Sequence, residues 1–79
     1  ALRLAGFRGQ QALVLGAGAA AKLLIAGIQH RGWTVAGLLD DDARKHDTTV
    51  SGVTVWGGLE LLTQPETLHD VTHLILAMP

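Results

Sequence analysis

The stretch Ala12-Leu13-Val14-Leu15-Gly16-Ala17-Gly18-Ala19-Ala20-Ala21 decides the reading of this chain. A short apolar run, the mark of a strand buried on both faces, stops at a glycine, and a helix-forming stretch begins three residues later. Gly16 ends the strand in a turn that a side chain would crowd. Gly18 lets the backbone approach a phosphate or a ribose, and the unpaired N–H groups of the first helical turn can hold an anion. Ala21 stands where the pattern usually has its third glycine, and it is still small enough for a helix to pack closely on its strand. A GxGxxA turn alone is weak evidence. Here it follows a strand, precedes a helix and lies about twenty residues ahead of Asp40, the layout of a nucleotide-binding fingerprint.

Outward from that turn, residues 11–15 form the first expected strand. The helix is expected from Ala19 to about His30, with Ala20, Leu23, Leu24, Gly27 and Ile28 at helical spacing. Gly32 stops it in the manner of a C-terminal cap. Residues 33–39 suit a second strand that ends at Asp40-Asp41-Asp42. The polar residues 42–51 read as a loop with at most one helical turn, in which Asp42 could cap Ala43-Arg44-Lys45. Residues 52–57, β-branched and bounded by glycines, are a third strand, and residues 73–78 a fourth. Between them, residues 58–63 suggest a short helix and Pro65 a further turn. The expected fold is therefore α/β: a partial Rossmann-like, doubly wound parallel sheet of about four strands in the order 3-2-1-4. Residues 1–10 read as a lead-in or linker, and residues 11–79 as the nucleotide-binding domain.

Composition narrows the function. Seventy-nine residues make one small domain, and without cysteine neither disulfides nor thiolate zinc sites are available. A formal charge of −1 argues against a nucleic-acid partner. No apolar run reaches the roughly 18–20 residues that span a bilayer. The chain begins at Ala1 and stops at Pro79 straight after a strand, so it is expected to be a piece of a longer protein.

The expected ligand-binding residues are Gly16, Ala17, Gly18 and Ala19 through their backbone, Asp40 as acceptor for ribose hydroxyls, and Asp41 and Pro79 at the mouth. Against this stands a plain tight turn, with Asp40 only opening a polar loop. Arg44 is the sole basic candidate near a 2′-phosphate, which favours NAD, or another nucleotide with a free 2′-hydroxyl, over NADP. Lys22 could reach a phosphate but reads better as a solvated lysine. Trp33 and Trp56 read as packing residues, and His30, His46, His69 and His73 do not form a metal-ligand pattern. No catalytic residue is expected: the chain has no Tyr, no Cys and no Gly-x-Ser-x-Gly turn.

The segments ALVLGAGAAAKLLIAGI, WTVAGLLDDD, SGVTVWGGLELL and THLILAMP resemble the Rossmann-like domain of bacterial polysaccharide-biosynthesis proteins, the nucleotide-sugar 4,6-dehydratases and epimerases of capsule and lipopolysaccharide pathways. The resemblance runs from Gln11 to Pro79. It departs from the pattern at Ala19-Ala20-Ala21, where acidic and glycine residues are more usual. It implies a nucleotide-binding accessory domain with NAD or a nucleotide-sugar as ligand and a catalytic domain in the same chain beyond Pro79. It also implies transmembrane helices ahead of Ala1, and so the cytoplasmic domain of a bacterial inner-membrane protein. The same segments resemble the module that precedes polyprenyl-phosphate sugar transferases. A related N-terminal fold in sugar acetyltransferases holds a uridine nucleotide near the matching acidic residue, which makes a nucleotide-sugar a competitor to NAD. A spacer that binds nothing is the alternative of a different class.

Overall fold

In the computed structural model, residues 9–77 are described. Strand β1 (Gln11–Leu15) is followed by helix α1 (Ala19–His30), β2 (Thr34–Leu39), the hairpin of β3 (Thr49–Val50) and β4 (Val53–Gly57), and β5 (His73–Leu76). Three 3-10 turns complete the path, Ala43–Lys45 after β2 and Leu59–Thr63 with Pro65–Leu68 between β4 and β5. The sheet order is β3-β4-β2-β1-β5. Pairing of β1 with β2 and β5, and of β2 with β4, is parallel, while β3 pairs antiparallel with β4.

The expected sheet thus needs correction: it has five strands rather than four, the added one pairs antiparallel at the edge, and the order is therefore β3-β4-β2-β1-β5 rather than 3-2-1-4. The added strand lies inside the polar stretch 42–51. Thr49 and Val50 pair with Thr54 and Val53 across a two-residue loop in which Ser51 and Gly52 both take positive φ, 53° and 82°. That geometry matches the right-handed twist of a hairpin.

Helix α1 ends as expected. Gly32, at φ 88°, donates to Gln29 O at 3.0 Å, and Trp33 N–H donates to Ile28 O at 3.1 Å. These two bonds close the last helical turn on itself and turn the chain into β2. The helix lays Ala21 and Ile25, both fully buried, against Val14, Val35, Leu38, Val53 and Val55, while Leu24 and Ile28 pack at its margin.

Two local irregularities shape the centre of the sheet. The β1/β2 register passes from Ala12↔Val35 to Leu13↔Gly37, and the β2/β4 register from Leu38↔Val55 to Leu39↔Gly57, so Ala36 and Trp56 are each left without a partner in those pairings. Each extra residue bends its strand locally. The Trp56 indole lies directly over Gly37, where an added Cβ would stand 2.2 Å from Trp56 Cε2. Trp56 is thus a packing residue, as its sequence context implied.

Candidate functional site

Parallel strands joined by a helix on one side leave a crevice beyond their carboxyl ends, and here β1 and β2 both end in it. Gly16 follows β1 at φ 111°, a conformation a side chain strongly disfavours, and its N–H donates to Leu39 O at 2.7 Å. Gly18 is the N-cap of α1, with no side-chain cap, and an added Cβ there would meet nothing within 4 Å. Ala21 and Lys22 N–H turn back to the Gly18 carbonyl at 3.1 and 3.4 Å. Ala19 and Ala20 amides belong to the set that every helix leaves without an intrahelical partner. No acidic residue stands in this first turn to repel an anion.

Opposite the turn stands Asp40, one residue beyond β2. Ala17 N–H donates to its Oδ2 at 2.9 Å and Asp42 N–H to its Oδ1 at 2.8 Å. Its backbone is held as well: the Asp40 N–H donates to Gly57 O at 2.8 Å, and His46 Nε2–H donates to the Asp40 carbonyl at 2.7 Å. The carboxyl pKa is lowered, first by the Asp42 amide and also by the Ala17 amide and the charge of Lys45, against a partial opposing effect of burial. Asp40 is therefore ionised at neutral pH and ties the glycine turn to the end of β2. A carboxylate offers about four lone-pair sites. Two are taken by amides, and Lys45 Nζ stands 3.7 Å from Oδ2.

The turn and this carboxylate line one open cleft of about 650 Å³, together with Leu24 of α1, Lys45 and, at the end of β5, Leu76 and Ala77. That volume lies within the range of small-molecule sites, and its mixture of apolar wall and few polar groups is typical of them. Leu76, an apolar side chain that lines the cleft, is 67 % exposed.

The structure brings Gly16, Ala17, Gly18, Ala19 and Asp40 to this one cleft. Asp41 is not among its lining residues: its Oδ1 accepts the N–H of Leu59, the first residue of the 3-10 turn Leu59–Thr63, at 3.0 Å. Pro79 lies outside the described residues. Asp42 caps the turn Ala43–Lys45 and holds Arg44 with two side-chain bonds of 3.0 and 2.9 Å, which lowers its own pKa to about 2. Arg44 is thereby occupied. Lys22 is exposed on α1 and is not among the lining residues. Beside Gly57 and Gly58 stand the Leu61 and Glu60 side chains, and neither glycine is among the lining residues.

Lys45 is the polar lining residue that sequence reasoning missed. Its signal was the cap at Asp42, which fixes the turn that aims the third residue back toward β2. Among the described residues, no group of three or more His, Cys, Asp or Glu could hold a metal ion, and no helix is long and apolar enough to cross a membrane.

No family model matches the sequence, and no curated protein matches it. Solved structures do. The chain is similar to two point variants of perosamine N-acetyltransferase from Caulobacter crescentus, each solved in complex with CoA and GDP-perosamine. In both cases the TM-score is 0.73 and the identity 27 %, over 89 % of this chain and 31 % of theirs. The chain thus spans about a third of the length of those proteins.

This finding corrects the expected parent. The likeness is to a sugar N-acetyltransferase, not to a nucleotide-sugar dehydratase or epimerase, and it supports neither the sugar-transferase module nor a spacer that binds nothing. NAD is likewise unsupported, whereas the nucleotide-sugar half of the expectation agrees with the ligand of those structures. The physical reason for the error is that a strand-glycine turn-helix unit offers backbone amides to any phosphate. It does not encode which molecule carries that phosphate.

Proposed function

We propose that this chain is the nucleotide-sugar-binding domain of an acyltransferase that moves an acyl group from a CoA thioester to an amino group on the sugar. The observation that carries this reading is the meeting of the Gly16–Ala19 turn and the Asp40 carboxylate in one open cleft, on a fold shared with enzymes solved with a GDP-linked amino sugar. In this reading the backbone amides at the start of α1 take a phosphate, and Asp40 accepts ribose hydroxyl hydrogens. Leu24 and Leu76 supply the apolar wall. Asp41 holds the Leu59 amide at the start of the 3-10 turn Leu59–Thr63 and touches no ligand. The chain binds and orients; the acyl-transfer groups belong to other parts of the enzyme.

Calorimetric titration of the chain with GDP, UDP, CoA and NAD tests this. Saturable binding of a nucleoside diphosphate, with CoA and NAD silent, is the expected result. Binding of CoA in this cleft, or of none of the four, would overturn the reading.

A further inference from the structure

The three consecutive carboxylates after β2 pose a physical problem for a cleft that takes a diphosphate. Like charges at this range repel. Two of the three are already dealt with: Asp41 is turned to the Leu59 amide, and Asp42 is neutralised by the forked contact with Arg44. Asp40 alone keeps its charge facing the turn, and its counter-ion is Lys45.

That ion pair is loose. At 3.7 Å it is longer than a charge-assisted hydrogen bond of about 2.7–2.9 Å, and the Lys45 side chain is 40 % exposed. A pair of this kind contributes little stability and is readily exchanged. It also stands at the oxygen that accepts Ala17 N–H, beside the amides of the glycine turn. Departure of the ammonium leaves one unused acceptor direction on each oxygen of Asp40, since Ala17 and Asp42 each occupy one. Two neighbouring acceptors suit the two adjacent hydroxyls of a ribose.

Resting on the nucleotide reading above, we propose that Lys45 is the specificity-determining cation of the cleft. It moves from Asp40 to the diphosphate of the ligand, and in moving it opens Asp40 to the ribose. A nucleoside without phosphate leaves the Asp40–Lys45 pair closed, whereas a nucleoside diphosphate draws it open. Arg44 is engaged by Asp42, and neither Arg44 nor Lys22 lines the cleft.

The test is calorimetry on the wild-type chain, Lys45→Met and Lys45→Gln with GDP, UDP, guanosine and uridine at several salt concentrations. Either variant should lose about tenfold or more in affinity for the diphosphate that binds, with a flatter salt dependence. Nucleoside affinity should stay unchanged or rise, because Asp40 is now unshielded. Diphosphate affinity within about twofold of wild type in both folded variants would overturn the inference and leave the nucleotide reading standing. An equal loss for nucleoside and diphosphate would also overturn it, by showing a structural role. Failure of the wild-type chain to bind either diphosphate would instead sink the reading on which the inference rests.

Discussion

Gly18 and Gly37 are chemically identical and serve opposite ends. Beside Gly37 the protein fills the missing side chain with its own Trp56 indole, so that glycine is consumed by packing. Beside Gly18 the space is empty, at the mouth of a cleft with helix amides on one side and a carboxylate on the other. A glycine whose vacancy the fold fills serves stability. A glycine whose vacancy stays open and which also lines the cleft leaves room for a ligand.

Gly37→Ala should strike the filled vacancy hardest. A methyl group 2.2 Å from an indole carbon forces Trp56 or β2 to shift, at a cost of about 3 kcal/mol, most of what a core this small supplies. Urea unfolding followed by circular dichroism checks it; a midpoint close to wild type would mean that the indole moves aside freely.

Asp40→Ala comes next, because it strands the Ala17 and Asp42 amides at once. About 2 kcal/mol is expected, together with loss of order in the glycine turn, read as faster amide exchange at Ala17.

Acid should act through the same group. The carboxyl pKa values of Asp40 and Asp42 are lowered in the folded chain, that of Asp42 to about 2, so their contribution is present above the ordinary carboxylate range. It is lost as pH falls from about 4 through those lowered values. Urea midpoints measured between pH 7 and pH 2 should therefore decline below about pH 4, and less steeply in Asp40→Asn.

Gly18→Ala should have the smallest effect on stability, about 0.5 kcal/mol, since the added methyl meets nothing and φ there is −95°. Its effect should fall on binding: calorimetry should show a clear loss of nucleoside diphosphate affinity. A large loss of stability with binding retained would reverse the contrast between the two glycines.

How far this was legible depends on whether the signal is local. The strand, turn and helix around Gly16 and Gly18 could be read because an apolar run, two glycines and a helical stripe are contiguous. Gly32 was readable as a helix stop for the same reason. Strand β3 was not: Thr49 and Val50 sit in polar sequence, and their partner strand lies across the Ser51-Gly52 turn. The convergence of the turn with Asp40 followed from the expectation that β1 and β2 lie side by side. The use of Asp40 oxygens by the Ala17 and Asp42 amides did not, because such bonds exist only once the loops are packed. Lys45 was hidden likewise, its place set by the Asp42 cap rather than by its own neighbours. The enzyme class was the least legible, since the same turn serves many phosphate-bearing ligands.

The most direct test is amide chemical-shift mapping of the nitrogen-15-labelled chain during titration with GDP and with UDP. Saturable shifts at Gly16, Ala17, Gly18, Ala19 and Asp40, with Gly37 and the Trp56 indole unmoved, are the predicted result for the diphosphate that binds. A flat response to both nucleotides, or shifts centred on Gly37 and Trp56, would contradict the account.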